Sequence, residues 1–461
     1  MTTTTEPQSP PRERAFQGWM ISNVAVGAGW AAFVALLVPP YITQATGSAS
    51  DAGVVMAVMS LAAVLGPVLG GVADRYQAHR QTLVGGLVAM TLALLAFGVA
   101  AGDSEFQVID AIIMGVGVAG VSAVAPVFIV SAGLSDELQS RRLTAFSVAF
   151  PIGQVAGGML MTAAAQAEWT FTSRFYLGSA VLAVCTVVVF FTSAAPTQAL
   201  VLTEEDEDEG EDDEDLTEDD TAQTRRAGLG GVLFSLFGLY LLVLVLSSIA
   251  SNGVNNQIAN ILPNVYGISE TTTSSLISLA GILNIVLFFA AGKVMTRFGP
   301  LTPFAAGTVM RFGGAACLGL LGWVSDAPVL LVAAAMQLLY QGSPFARLPQ
   351  NVLAVRYAPI PSGQANGWVI AASAMGSFIG SLLGGWLADE VGFNSISWMA
   401  AISAGLGVGL LVLVIWPTDR RLDHDRENDD REYDDRDNDD RDNDHRDNAV
   451  DDDDMGRGSD G

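Results

Sequence analysis

Hydrophobic residues fill this chain in twelve blocks parted by short polar turns, at roughly 18–42, 52–73, 81–102, 106–133, 143–166, 175–198, 228–258, 271–292, 300–324, 327–346, 364–388 and 394–416. Lipid offers no partner to an exposed peptide group, so a segment that crosses a bilayer must satisfy its own backbone, and an apolar helix of about 20 residues does so. Each block meets that length. The pattern predicts an all-α membrane protein with twelve transmembrane helices. Only Asp110 in helix 4 and Arg311 in helix 9 place a charge clearly inside a block.

The blocks also repeat. The turn after helix 2, Gly70-Gly71-Val72-Ala73-Asp74-Arg75-Tyr76-Gln77-Ala78-His79-Arg80, returns in degraded form as Gly292-Lys293-Val294-Met295-Thr296-Arg297-Phe298-Gly299, an offset of 222 from Gly70 to Gly292. Ile152–Leu160 of helix 5 returns as Ile379–Leu387 of helix 11, an offset of 227 from Gly153 to Gly380. Two ordered matches at nearly one offset point to a duplicated six-helix unit. The expected organisation is therefore a polar N-terminus (1–17), a first bundle (18–198), an acidic linker (199–227), a second, pseudo-symmetric bundle (228–416) and an acidic tail (417–461). Small residues four apart let helix backbones approach closely, so Gly153 and Gly157 on helix 5, with Gly380 and Gly384 on helix 11, are expected to pack the two bundles together.

Charge refines the topology. The net charge of −26 comes mostly from the linker and tail, since 34 of the 48 acids lie at 204–220 and 419–460. These runs lack the apolar content to fold and read as solvated segments. Lys293 is the sole lysine, and an Arg-based chain with dense acid runs suggests a cell adapted to high salt, where charge repulsion is screened within about 3 Å. Cytoplasmic loops carry the excess of Lys and Arg. Placing both termini in the cytoplasm puts Arg12, Arg14, Arg75, Arg80, Arg141, Arg142, Arg225, Arg226, Lys293, Arg297, Arg347, Arg356, Arg420 and Arg421 on that side and leaves only Arg174 outside. Residues 1–17 do not read as a cleavable signal. The expected location is the plasma membrane.

Catalytic chemistry finds no foothold. His79, His424 and His445 all fall outside the blocks, and Cys185 and Cys317 sit in different halves without metal or disulfide spacing. There is no phosphate-binding Gly-Lys-Ser/Thr loop. The expectations are no enzyme, no cofactor, no metal and no nucleic-acid partner.

With these residues in place, the chain resembles the major facilitator superfamily over nearly all of 18–416. Gly70, Asp74, Arg75 and Arg80 fit the family's turn between helices 2 and 3; Gln77 stands where a second Gly is usual and His79 where a basic residue is usual. In the second copy Gly292, Arg297 and Gly299 persist, while Thr296 replaces the acid. The resemblance implies alternating access, in which two bundles rock about a central site, with Gly70, Asp74, Arg75, Arg80, Gly292 and Arg297 acting as a conformational gate. Asp74 would then sit against the N-terminus of helix 11 near Gln364–Trp368, where the helix dipole favours an anion.

The same resemblance places helices 1, 4, 7 and 10 around the cavity. Candidates there are Asn23 and Trp30 on helix 1, Asp110 on helix 4, Ser248, Asn252 and Asn256 on helix 7, and Gln337, Tyr340 and Gln341 on helix 10. Amides and aromatics suit a polar organic solute that is neutral or weakly charged; some would instead join helices by hydrogen bonds. Asp110 reads as a proton or cation site or as an acid reaching interfacial water. Arg311 reads as a structural arginine or an anion contact. The Arg usual in helix 4 of drug antiporters is absent around Ala111, and the sugar-porter motif after helix 6 is replaced by the acidic linker.

The function expected is secondary or facilitative movement of a small organic solute, more often outward, by a monomer with H+ or Na+ as a possible coupling cation. The rivals are sugar uptake and a non-transporting membrane sensor or assembly partner acting through the acidic tails.

Overall fold

The computed structural model describes residues 16–99, 104–130, 136–194, 235–360 and 362–421. These residues form twelve apolar helices long enough to cross a membrane: Gly18–Thr46, Ala49–Arg75, His79–Val99, Glu105–Ile129, Arg141–Gln166, Phe171–Thr192, Leu236–Asn255, Glu270–Phe298, Leu301–Leu321, Val329–Arg347, Gln364–Glu390 and Asn394–Arg421, here helices 1 to 12. The predicted linker, most of the N-terminal segment, the tail beyond Arg421 and the first residues predicted for helix 7 lie outside the described residues. Helix 12 continues to Arg421, past its predicted end at 416.

Local chemistry sets many helix ends. Ser48, Thr170, Ser235 and Ser269 each accept a backbone N–H from the first turn of the helix they precede, satisfying a donor that has no partner within the helix. Gly47 and Gly267 end their helices in the left-handed region, at φ 76° and 63°. Gln77, which replaces the usual Gly in the turn after helix 2, adopts φ 49°, so the turn keeps its shape without glycine. Its counterpart Gly299 has φ 78° and ψ 169°, a conformation open essentially to glycine alone. Gly299→Ala is therefore expected to lower stability by about 1–3 kcal/mol through backbone strain. Thermal unfolding in detergent checks this, because open space surrounds the position and no side-chain clash would confuse the reading.

Helices 1, 4, 7 and 10 are all interrupted. Helix 1 widens to a π-helical stretch at Gly29–Val34, and helix 7 breaks at Asn256 and Gln257 before continuing as Ile258–Tyr266. Helix 4 breaks at Ala125 and Pro126, and helix 10 at Leu348 and Pro349, where proline removes a backbone donor and ends the regular helix.

Helix 1 packs on 5 and helix 3 on 4 and 6 in the first bundle, while helix 7 packs on 11 and helix 9 on 10 in the second. The bundles meet along two seams, helix 2 against 11 and helix 5 against 8. Here the structure corrects the glycine assignment. Gly153 and Gly157 face Val24, Ala28 and Ala32 of helix 1, and Gly380 and Gly384 face helix 7 at Ile249 and Gly253, so all four pack within their own bundles. The seams are built one residue further on. A Cβ on Gly385 would lie 2.9 Å from Gly53 Cα and 2.6 Å from the Ala49 carbonyl oxygen, and one on Gly158 would collide with Ser278 of helix 8. Each residue turns about 100° around a helix, so the two members of a Gly-Gly pair point at different neighbours. Gly53 and Gly281 on the facing helices are also related by the repeat, an offset of 228.

Candidate functional site

The interruptions in helices 1 and 7 border a cavity of about 80 Å³ between the bundles. Trp30, Ala31 and Ala35 line it from helix 1, Phe150 and Gln154 from helix 5, and Asn252, Asn255 and Asn256 from the end of the regular part of helix 7. Asn284 of helix 8 and Tyr340, Ser343 and Arg347 of helix 10 complete it. Trp30 and Asn256 are themselves repeat-related, an offset of 226, so each bundle contributes its irregular turn to the same space. Irregular backbone at membrane depth is tolerated where it lines such a cavity.

Four residues expected at the site meet there: Trp30, Asn252, Asn256 and Tyr340. Asn256 Nδ2 donates to Ser381 Oγ of helix 11 at 2.6 Å, which orients the amide. The others do different work. Asn23 donates to the Phe146 carbonyl oxygen at 2.7 Å, joining helices 1 and 5. Ser248 faces Gly376 of helix 11. Gln337 and Gln341 donate to the Leu276 and Ala280 carbonyl oxygens, at 2.8 and 3.3 Å, tying helix 10 to helix 8. Asp110 is buried, with Oδ2 lacking a partner, but it does not line the cavity, to which helix 4 contributes nothing. Each of these five had been placed at the cavity from helix membership, and the direction in which each side chain leaves its helix decides otherwise.

Arg347 is the opposite case. Its position at the end of helix 10 marked it as a loop residue, yet it lines the cavity and remains exposed there. Arg311 is buried behind it: Nη1 donates to Ser247 Oγ at 2.5 Å and Nη2 to Ser343 Oγ at 3.3 Å. Gln154, Asn255, Asn284 and Ser343 were also missed. Asn284 carried a usable signal, since it is a lone amide within the apolar run of helix 8.

The two ends of the molecule differ. At the end of the helices that carries Asp51, Glu168, Glu270, Asp389 and Glu390, the acidic end, Asp389 of helix 11 accepts from Ser48 Oγ at 2.9 Å and from the backbone N–H groups of Ala49 and Ser50 at 2.7 and 2.8 Å, fastening the second bundle to the start of helix 2. Arg174 pairs with Glu270 at 2.8 Å across the bundles. Asn260 donates to Thr43 Oγ1 at 3.0 Å, and Gln257 to the Ala49 carbonyl oxygen at 3.3 Å. Only about 10 Å³ of space remains beneath Arg174 and Glu270. At the basic end, by contrast, a cavity of about 650 Å³ separates Gln139 and helix 5 (Leu143, Thr144, Ser147, Val148) from helix 8 (Phe288, Phe289, Gly292, Lys293, Thr296). Successive turns of helices 5 and 8 line this cavity and the central one.

The expected seat of Asp74 at helix 11 is not occupied in this structure. Its carboxylate pairs with His79 Nε2 at 2.8 Å and is otherwise largely exposed, because the side chain turns back onto its own loop. Arg80 donates to the Phe190 carbonyl oxygen at 2.9 Å and lies over that ring, so it too stays within the first bundle. Arg75 lies over Tyr76 and Arg297 over Phe298. Gly70 is near Ala123 of helix 4.

The sequence profile of the major facilitator superfamily matches residues 19–361 and 241–437. The chain belongs to that superfamily. No curated protein matches the sequence. Among solved structures, the chain is similar to a mutant of the nucleoside transporter NupG, with 13% identity and a TM-score of 0.67, covering 86% of this chain and 98% of that one. It is similar also to the xylose transporter XylE from E. coli in a partially occluded inward-open conformation, with 14% identity and a TM-score of 0.62, covering 87% and 100%. A POT family transporter in complex with a thioalcohol-conjugated peptide matches at 12% identity and a TM-score of 0.65, covering 87% and 96%. At these identities the likeness establishes the fold. The chain is thus a multi-pass membrane protein of a transporter family, and not of an enzyme family.

Proposed function

We propose that this protein moves a small polar organic solute across the plasma membrane by alternating access, as a secondary or facilitative transporter, and that the structure is its inward-facing state. The observation that carries this reading is an asymmetry between the two ends: bonded contacts and about 10 Å³ of space at the acidic end, against a gap of about 650 Å³ at the basic end, on either side of the central cavity. The basic end is cytoplasmic on the positive-inside rule. Asp74, Arg75, Arg80, Gly70, Gly292 and Arg297 then belong to the gate that forms when the gap closes, with Asp74 leaving His79 for the start of helix 11. Thr296 in place of an acid makes that gate one-sided. Export, coupling to H+ or Na+ and a monomeric state are part of the same proposal.

Counterflow in proteoliposomes tests it, with a panel of hydroxylated, carboxylated and aromatic metabolites. Asn256→Ala removes a cavity amide and its bond to Ser381, so it is expected to weaken the apparent affinity of the transported solute about tenfold, in line with about 1–2 kcal/mol for a lost buried hydrogen bond. Val184→Ala, on an exposed face of helix 6, serves as the control and leaves flux unchanged. If no solute that binds the purified protein is exchanged, the transport reading fails.

A further inference from the structure

Resting on the reading of the central cavity as the solute site, we infer that the solute is a small hydroxycarboxylate, with Arg347 holding its carboxylate. The cavity's charge is the starting point. Of its twelve lining residues only Arg347 is ionised at neutral pH, and no Asp or Glu lines the space. Among the described residues Arg347 has neither an acidic partner nor a hydrogen-bond acceptor. Behind it stands a second cation, Arg311, which bonds Ser343 on the same helix as Arg347 and whose bonds go to serine oxygens rather than to an acid. Arg347 is open to the cavity while Arg311 is buried behind it, and two cations at membrane depth with no acid between them make a site that an anion completes.

Arg favours a carboxylate because its planar fork matches two oxygens at once. Ser343 lines the cavity while accepting from Arg311, so the buried cation polarises a hydroxyl at the same wall.

The remaining polar groups specify the rest of the ligand. The side-chain oxygens of Asn255 and Asn284 are buried and have no hydrogen-bond partner. An orphaned buried acceptor costs about 1–3 kcal/mol, so the bound solute should supply donors to both. Hydroxyl groups next to a carboxylate do this, and a ketone or a plain alkanoate does not. Trp30, Phe150 and Tyr340 give the carbon skeleton apolar surface. A volume of about 80 Å³ is far below the roughly 300–1,000 Å³ of sites for drug-sized ligands, which limits the solute to the scale of lactate or glycerate.

Titration calorimetry of the full-length protein in lipid nanodiscs tests this with glycerate and lactate, against lactamide (no charge), propionate (no hydroxyl), inorganic phosphate and xylose. Glycerate, whose two hydroxyls can serve both amides, is expected to bind at least tenfold more tightly than lactamide and propionate, with lactate, one hydroxyl short, in between. Arg347→Gln should abolish that preference, and Arg347→Lys should keep part of it. Equal binding of lactamide or xylose, binding of phosphate alone, or no binding of any carboxylate overturns the inference. The comparison among ligands on the wild type holds even if Arg347→Gln misfolds. Counterflow with the same panel separates the two readings. Exchange of a neutral solute, untouched by Arg347→Gln, removes the anion site and leaves transport standing. Carboxylate binding without any exchange removes transport and leaves the anion site.

Discussion

Gly385→Leu is expected to force the acidic end of the protein apart and to abolish solute exchange. A Cβ at this position meets the Ala49 carbonyl oxygen at 2.6 Å, Gly53 Cα at 2.9 Å and Ser50 Cα at 3.1 Å. All three are backbone atoms of helix 2, so no rotamer change relieves the contact and the helix itself must move. Even alanine should cost about 1–3 kcal/mol of overpacking in the closed state, a shift of roughly tenfold or more in the ratio of conformers. Leucine cannot be accommodated without opening the seam. Spin labels at Glu168 and Glu390, both exposed at the acidic end and one in each bundle, read the change as a longer distance once Cys185 and Cys317 are replaced. Gly85→Leu, which faces open space on helix 3, should leave the distance unchanged. An unaltered distance distribution with intact exchange in Gly385→Leu would show that the seam does not govern the closed state.

Asp389→Asn is expected to act in the same direction but more weakly, shifting the equilibrium about tenfold toward the state open at the acidic end. The carboxylate receives one hydroxyl and two backbone N–H groups at the start of helix 2, where the helix dipole favours negative charge. Because Asp389 is exposed, water and salt screen it, and about 1–2 kcal/mol is the appropriate scale. Asparagine keeps one acceptor oxygen, so Asp389→Ala should open the seam further. The neighbouring Arg174–Glu270 pair has one exposed partner, and such pairs contribute only about 0–1 kcal/mol. The same spin-label distance decides between them. Opening in Arg174→Gln with none in Asp389→Asn would assign the latch to the ion pair instead.

Much of the architecture could be read from the chain because each step of it is local. Spanning length, the Gly70 and Gly292 turns and the recurring Gly-Gly pairs depend on residues close in sequence, and the twelve helices follow from them. The candidate site was legible only in part. Trp30, Asn252, Asn256 and Tyr340 were accessible because helix membership happened to coincide with side-chain direction. Asn23, Gln337 and Gln341 lie on the same kind of helix and bond to carbonyl oxygens of neighbours instead. Gln154 and Asn284 come from helices 5 and 8, which meet at the cavity because glycines bring the bundles into contact.

The sequence by itself determined the membrane-spanning helices, the duplication and the exclusion of catalytic motifs, since these rest on hydrophobic length, spacing and residue type. Only the tertiary structure decided which member of each Gly-Gly pair faces the other bundle, which end is closed and that Arg347, at the end of helix 10, belongs to the cavity. A rotation of about 100° per residue, and the breaks in helices 1, 7 and 10, set those directions. The turn that announced the repeat holds Asp74 against His79, while the hydrogen bonds of Asp389 that join helix 11 to helix 2 lie at the opposite end.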